Sequence, residues 1–282
     1  MSVPEDRFGE HLDRARGTPM NIDAYLQRID YHGSREPTAE TLTQLHRAHM
    51  FTVPFENLDI TLGRPISLSH AAFYDKIVER GRGGFCYELN GLFGWLLEQL
   101  GFAVTLLSAR VHDGAHPGPE FDHMVLLVDL GERLIADVGF GDSFIEPLRL
   151  DHPHESVQRG SAYRLVEQHS EWALQQKRKA KWETDFVFSL TPHRLTDFAA
   201  MCQYQQTSPE SAFTRKTICS RATGDGRVTL SNDRWIETAD EQRDERHVDT
   251  AEEYRALLQS HFGIDLGSAT AVERLMEGHS SP

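Results

Sequence analysis

Three cysteines in 282 residues, Cys86, Cys202 and Cys219, are too few and too scattered to form a disulfide framework. Cys-x-x-Cys pairs and the His-Glu-x-x-His pattern are also missing, which removes the usual zinc signatures and leads us to expect no metal. No apolar run approaches the roughly 20 residues that a membrane helix needs. Positive charge is scarce as well: 29 Lys and Arg stand against 43 Asp and Glu, a formal net charge of −14. A surface of that sign argues against nucleic acid or anionic membrane as partners. Any polyanionic ligand must then be received by a local basic patch or by backbone N–H groups. The one dense basic run, Lys177-Arg178-Lys179-Ala180-Lys181, reads as a solvated hairpin face. Residues 1–20 are charged and carry no signal-peptide core, so they read as a disordered extension and the expected address is cytoplasmic.

The informative stretch runs from Arg82 to Phe93: Arg-Gly-Gly-Phe-Cys-Tyr-Glu-Leu-Asn-Gly-Leu-Phe. Leu89, Leu92, Phe93, Leu96, Leu97 and Leu100 recur at helical spacing, and Gly101 supplies the stop. The glycine pair permits a sharp entry, which puts Cys86 at a helix N-terminus with Arg82 nearby. Both a positive helix end and a nearby cation favour a thiolate. A lone cysteine is ordinarily a small buried hydrophobe. Here, however, Asn90 and Gly91 break helix propensity within one turn of it, as functional segments do. The glycine pair is no phosphate loop, because no Gly-Lys-Ser/Thr follows.

Around this stretch the chain changes period. Helices are expected over Asp23 to Tyr31, after the Thr38 cap as far as Val53, and after Ser69 as far as Gly81. Pro54 to Leu58 reads as a loop. Beyond Gly101 the pattern is that of strands: Val104 to Val111, Met124 to Val128, Leu134 to Val138, Tyr163 to Val166, Trp172 to Gln176 and Trp182 to Leu190. Leu195 to Tyr204 reads as a helix. A hairpin around Ser231-Asn232-Asp233 and a helix opened by a Thr250-x-x-Glu253 capping box complete the chain. The expected division is 1–20 extension, 21–101 helical, 102–190 β-barrel, 191–206 interdomain helix and 207–282 lid.

A nucleophilic cysteine needs a base and a group to orient that base. His123 opens the first strand of a hairpin, and Asp137 closes the second after an apolar run in which a carboxylate must be paired. A three-residue loop, Asp129-Leu130-Gly131, would set His123 directly opposite Asp137 on one face. Asp122 is a rival partner, but adjacent strand residues point to opposite faces.

Val53-Pro54-Phe55-Glu56-Asn57-Leu58, Arg82-Gly83-Gly84-Phe85-Cys86-Tyr87-Glu88 and Asp137-Val138-Gly139-Phe140-Gly141 together resemble the arylamine N-acetyltransferases, over about Asn21 to Leu266. The resemblance implies an α+β fold made of a helical bundle, an antiparallel β-barrel and an α/β lid. It implies a catalytic triad of Cys86, His123 and Asp137, and a structural ion pair between Arg82 and Glu56. By the same resemblance Phe55, Tyr87, Val111, Gly139, Phe140, Gly141 and Phe213 bind substrate. The implied activity is ping-pong transfer of acetyl from acetyl-CoA to an arylamine, arylhydrazine or arylhydroxylamine, as in xenobiotic metabolism. One departure stands out: this family usually has Thr or Ser before the histidine, where this chain has Asp122. The Cys…His…Asp order is shared with papain-like and transglutaminase-like enzymes, so a thiol hydrolase or amide synthase is the alternative. A redox-sensing thiol is a third reading, although no second cysteine occurs before Cys202.

Overall fold

The computed structural model describes residues 19–152, 154–239 and 242–277. The extension expected up to residue 20 lies outside them but for Pro19 and Met20. Helices come first because caps and apolar spacing agree. Asn21 accepts from Ala24 N and opens α1 (Ile22–Arg28), and Thr38 accepts from Thr41 N and opens α2 (Ala39–Thr52). Helix α2 stops at Val53, before Pro54. The stretch read as a loop is in part a strand: β1 (Phe55–Glu56) pairs antiparallel with Ser220 and Cys219. Two residues whose partners lie far along the chain leave no periodic trace. After α3 (Leu58–Thr61), Ser69 caps α4 (His70–Tyr74), which widens into a π turn over Asp75–Glu79. The extra residue in that turn changes the helical phase, and Lys76 ends up buried. Helix α5 (Cys86–Gln99) is buried along its whole length from Cys86 to Leu97, so it is a central helix rather than a surface one.

The next eight strands are β2 (Ala103–Val111), β3 (His123–Asp129), β4 (Arg133–Ala136), β5 (Leu148–Arg149), β6 (Ser156–Gln158), β7 (Ser161–Gln168), β8 (Glu171–Arg178) and β9 (Lys181–His193). They form one antiparallel sheet in the order β5-β4-β3-β2-β9-β8-β7-β6, curled into a nearly closed barrel. Period-2 alternation divides its residues. Leu107, Val125, Ile135, Phe186 and Phe188 fill the inside, while Met124, Leu126, Val128, Leu134 and Ala136 join the helical core. The basic run forms the β8–β9 turn, and Arg178 there binds Asp185 at 2.7 Å. Strand β9 continues past residue 190 to His193, because Pro192 and His193 still pair with β2.

A 3₁₀ turn at Leu195–Phe198, α6 (Ala199–Thr207) and α7 (Ala212–Arg215) lead to a second sheet. Its later strands are β10 (Ile218–Ala222), β11 (Gly226–Ser231), β12 (Arg234–Ala239) and β13 (Gln242–His247), and its order is β1-β10-β11-β12-β13. Helices α8 (Ala251–Phe262) and α9 (Ala269–Glu277) pack Tyr254, Leu258 and Leu275 against its Leu230 and Trp235. Only half of the expected capping box forms. Thr250 accepts from Glu253 N, but the Glu253 carboxylate binds Arg246 instead of reaching back. The fold is thus mixed helix and sheet, with helices, barrel and sheet-with-helices in that order. No helix among the described residues is long and apolar enough to cross a membrane.

Candidate active site

Cys86 is the first residue of α5, with Phe85 as its cap. The glycine pair before it is needed for close approach rather than for an unusual backbone, since neither glycine has a positive φ. A Cβ on Gly83 would lie 1.9 Å from Pro54 O, so only glycine lets this turn lie against β1. Glu88 then locks the helix start, its Oε2 accepting from Phe85 N at 3.1 Å.

Beneath the turn lies a buried ionic cluster. Arg82 Nη2 is 2.7 Å from Glu56 Oε1 and 3.3 Å from Asp59 Oδ1. Lys76 Nζ is 3.0 Å from both Glu88 oxygens and 3.1 Å from Asp59 Oδ2. Burial pushes Glu88 up to about 7 against the pull of Lys76. This arrangement corrects one expectation. The Arg82 charge is engaged by Glu56 and Asp59 and does not activate the thiol. Cys86 is fully buried, and its pKa is pushed well above the ordinary value by that burial, then by the charges of Asp122, Cys202 and Asp137. The helix end does contribute through the Tyr87 N–H, but burial outweighs it. A thiol in such surroundings ionises only if a base in the same cavity takes its proton.

His123 and Asp137 meet as the hairpin reading requires, by a slightly different route. Val128 pairs with Leu134 and Asp129 with Arg133, so the loop is Leu130-Gly131-Glu132, one residue later than expected. Asp129 Oδ1 accepts from Gly131 N at 2.9 Å, a local turn that holds Asp129 in the ladder. Loop length stays three and parity is kept, so the two residues share a face but sit diagonally. Diagonal neighbours remain within reach of long side chains, and His123 Nε2 is 2.7 Å from Asp137 Oδ2. Burial alone would raise the Asp137 pKa. The His123 charge and hydrogen bond, Asn90 and the Gly139 N–H more than offset it and hold the carboxyl below its usual range.

Two supporting residues are additions from the structure. Asn90, one turn after Cys86, donates Nδ2 to Met124 O at 2.7 Å and to Asp137 Oδ1 at 2.8 Å, and accepts from Val138 N at 2.9 Å. It ties the cysteine helix to both hairpin strands, which explains a poor helix former there. His46 donates Nδ1–H to Ile145 O and accepts from Asp137 N at 3.1 Å. Its only sequence signal is its place among the core positions of α2.

Cys86 and His123 line one cavity of about 480 Å³. Of the seven pocket residues expected, Phe55, Val111, Gly139, Phe140 and Phe213 are on its wall. Tyr87 lies behind the wall, where its hydroxyl donates to Phe121 O at 2.7 Å and its ring packs on Phe85 and Phe198. Gly141 is not on the wall either; its backbone lies against the Phe55 ring. Asp122, Gln205, Ser211, Arg215 and Lys216 complete much of the lining, and sequence reasoning assigned none of them to it.

The N-acetyltransferase family model matches residues 38–271. The pineal gland isozyme NAT-3 of arylamine N-acetyltransferase from Gallus gallus is 34% identical over 275 residues, covering 88% of this chain and 95% of that protein. The arylamine N-acetyltransferase of Mycolicibacterium smegmatis is 35% identical over 257 residues, covering 88% and 93%. The solved structure of Mycobacterium marinum arylamine N-acetyltransferase in complex with CoA superposes with a TM-score of 0.84 at 30% identity, covering 91% of this chain and 99% of that one. Sequence, fold and length therefore agree, and the chain belongs to the arylamine N-acetyltransferases, a family of acyltransferases.

Proposed function

We propose that this enzyme transfers an acetyl group from acetyl-CoA to an arylamine, arylhydrazine or arylhydroxylamine by ping-pong exchange through an acetyl-Cys86 intermediate. The observation that carries the reading is the single cavity wall shared by Cys86 and His123, with Asp137 bound to His123 Nε2 at 2.7 Å. With Nε2 donating to Asp137, Nδ1 is the ring nitrogen left to take the Cys86 proton. The imidazolium so formed is stabilised by a carboxylate already held ionised. The thiolate attacks the thioester carbonyl, and CoA leaves as its thiol with the proton returned by His123. In the second step His123 takes a proton from the attacking amine as the acetyl group passes to nitrogen.

Arg215 and Lys216 are exposed at the cavity and are, among the described residues, the only Lys or Arg side chains on it. They supply the local basic patch that an acidic chain needs to receive the CoA phosphates. In this reading residues 21–101 furnish the nucleophile, 102–190 the base and its carboxylate, and the segment after 191 a wall of the pocket. Three free, buried thiols support a reducing, cytoplasmic address. The test is intact mass after incubation with acetyl-CoA alone. One acetyl group on Cys86, discharged by an added arylamine, is expected. No adduct on the wild-type protein, or an adduct that survives in the Cys86→Ala variant, refutes the mechanism.

A further inference from the structure

The cavity is not uniform in charge. Arg215, Lys216 and Glu210 are exposed, whereas Asp122 is half-buried on the wall it shares with Cys86 and His123. The Asp122 carboxylate is held by α6: Gln205 Nε2 donates to its Oδ1 at 2.6 Å. Gln205 is itself fixed: its Oε1 accepts from Ser211 Oγ at 2.5 Å, and that hydroxyl oxygen accepts from Phe213 N at 3.1 Å. Gln205 and Ser211 are 5% and 2% exposed, so the buttress is rigid and shielded from water. A carboxylate offers about four lone-pair sites, and this donor leaves others for a ligand.

A purely mechanical role would be to pin α6 to the start of β3. An amide or hydroxyl oxygen could accept that same hydrogen bond. What a carboxylate adds is negative charge, and here that charge opposes ionisation of the Cys86 thiol. Its effect on the acyl acceptor has the opposite sign for cations and anions. An aromatic ring seated among Phe55, Phe140 and Phe213 places its substituents in the cavity that Asp122 lines.

We propose that Asp122 is a specificity-determining residue. It favours aromatic amines that carry a cationic or N–H-rich substituent, and it disfavours those that carry a carboxylate. The inference rests on the acetyl-transfer reading above and deepens it by naming the acceptor class.

The test compares wild type, Asp122→Asn and Asp122→Ser with three anilines of similar shape: 4-aminobenzamidine, 4-aminobenzamide and 4-aminobenzoate. In ping-pong exchange the acceptor kcat/KM reports only the second half-reaction, so altered acetylation does not enter. Dividing each variant by wild type cancels the intrinsic reactivity of each amine. Both variants are expected to raise the ratio of aminobenzoate to aminobenzamidine kcat/KM by about tenfold, as a like charge in a partly open cavity implies, with the neutral amide changing least. Asn keeps the acceptor oxygen for Gln205 and should melt like wild type, so the test stands even if the serine variant is unstable. Equal changes for all three acceptors would overturn the proposal and leave Asp122 a structural pin. Failure of acetyl-CoA to acetylate the wild-type enzyme would instead overturn the transfer reading, before any acceptor is added.

Discussion

Gly139 marks the closest approach between the cysteine helix and the segment after Asp137. A methyl group there would lie 2.9 Å from both Cys86 Cα and Cys86 O, and 2.7 Å from Asn90 Nδ2. Carbon contacts settle near about 3.5–4.0 Å, so the two segments must separate by about 0.5–1 Å. Neither neighbour yields easily. One is main chain, and the other is committed to Met124 O and Asp137 Oδ1. Overpacking of this kind costs about 1–3 kcal/mol, which in a chain of this size lowers Tm by roughly 3–10 °C. A shift of about 1 Å between reacting groups can cost about 100-fold in rate. Gly139→Ala is therefore expected to fold, to melt several degrees early, and to acetylate Cys86 about two orders of magnitude more slowly in single-turnover mass measurements. Gly94→Ala, on the same helix, is the control. Its methyl would sit 3.4 Å from Leu126 Cδ2, with Leu106 Cδ2 next at 3.7 Å. It also gains up to about 1 kcal/mol in helix propensity. It should melt no lower than wild type and react at the same rate. A Gly139→Ala enzyme as fast as wild type, or a Gly94→Ala enzyme as slow as Gly139→Ala, would refute the reasoning.

Two further outcomes concern buried charge. Lys76→Met leaves the Glu88 and Asp59 carboxylates short of a partner, so urea unfolding should show a loss of about 3–5 kcal/mol, and adding Glu88→Gln should recover much of it. Additive losses in the double variant would show that the pair is not coupled. His49 is fully buried, with neither ring nitrogen partnered among the described residues, and burial lowers its pKa well below the ordinary value; His46 is pushed down to about 4 by burial as well. The unfolded chain binds these protons near pH 6.5 and the folded chain does not, so stability is lost as pH falls from about 6.5 toward 4. His49→Leu should make that decline shallower than in wild type. Parallel curves of unfolding free energy against pH for variant and wild type would count against it.

The sequence is legible where one element is specified by its neighbours. The Thr38 and Ser69 caps, the α5 stripe and the place of Cys86 at a helix start all follow from spacing within a few residues. The pairing of His123 with Asp137 follows from an odd loop length alone, which is why it survives a two-residue change in register. That register was not legible, because it depends on whether Asp129 joins the ladder or the turn. Asn90 is visible as an anomaly of propensity, yet its purpose resides in Met124, Asp137 and Val138, which lie more than thirty residues away. Lys76 is hidden by a π turn that shifts its phase, and nothing in the sequence signals that Asp59 joins Glu56 in engaging Arg82. The cavity wall near Gln205 and Ser211 comes from the end of α6 and the cap of α7, whose position only the whole fold determines.

The short pairing at Phe55–Glu56 has a consequence for where the chain tolerates change. On its other side this strand bridges to Gly84, with Glu56 N donating to Gly84 O at 2.9 Å. The turn that carries the nucleophile is in this way an outermost rung of the C-terminal sheet, joined through Phe55 and Glu56 to Ser220 and Cys219, then to Thr229 and Leu230. Residues added at the exposed tip between β10 and β11 leave every rung in place. One residue added between Thr217 and Ala222 slips the ladder, carries β1 with it and turns side chains to the wrong face. Sequence length is therefore free at one end of a hairpin and fixed at the other, and what fixes it is the depth at which a cysteine more than 130 residues earlier sits in its cavity.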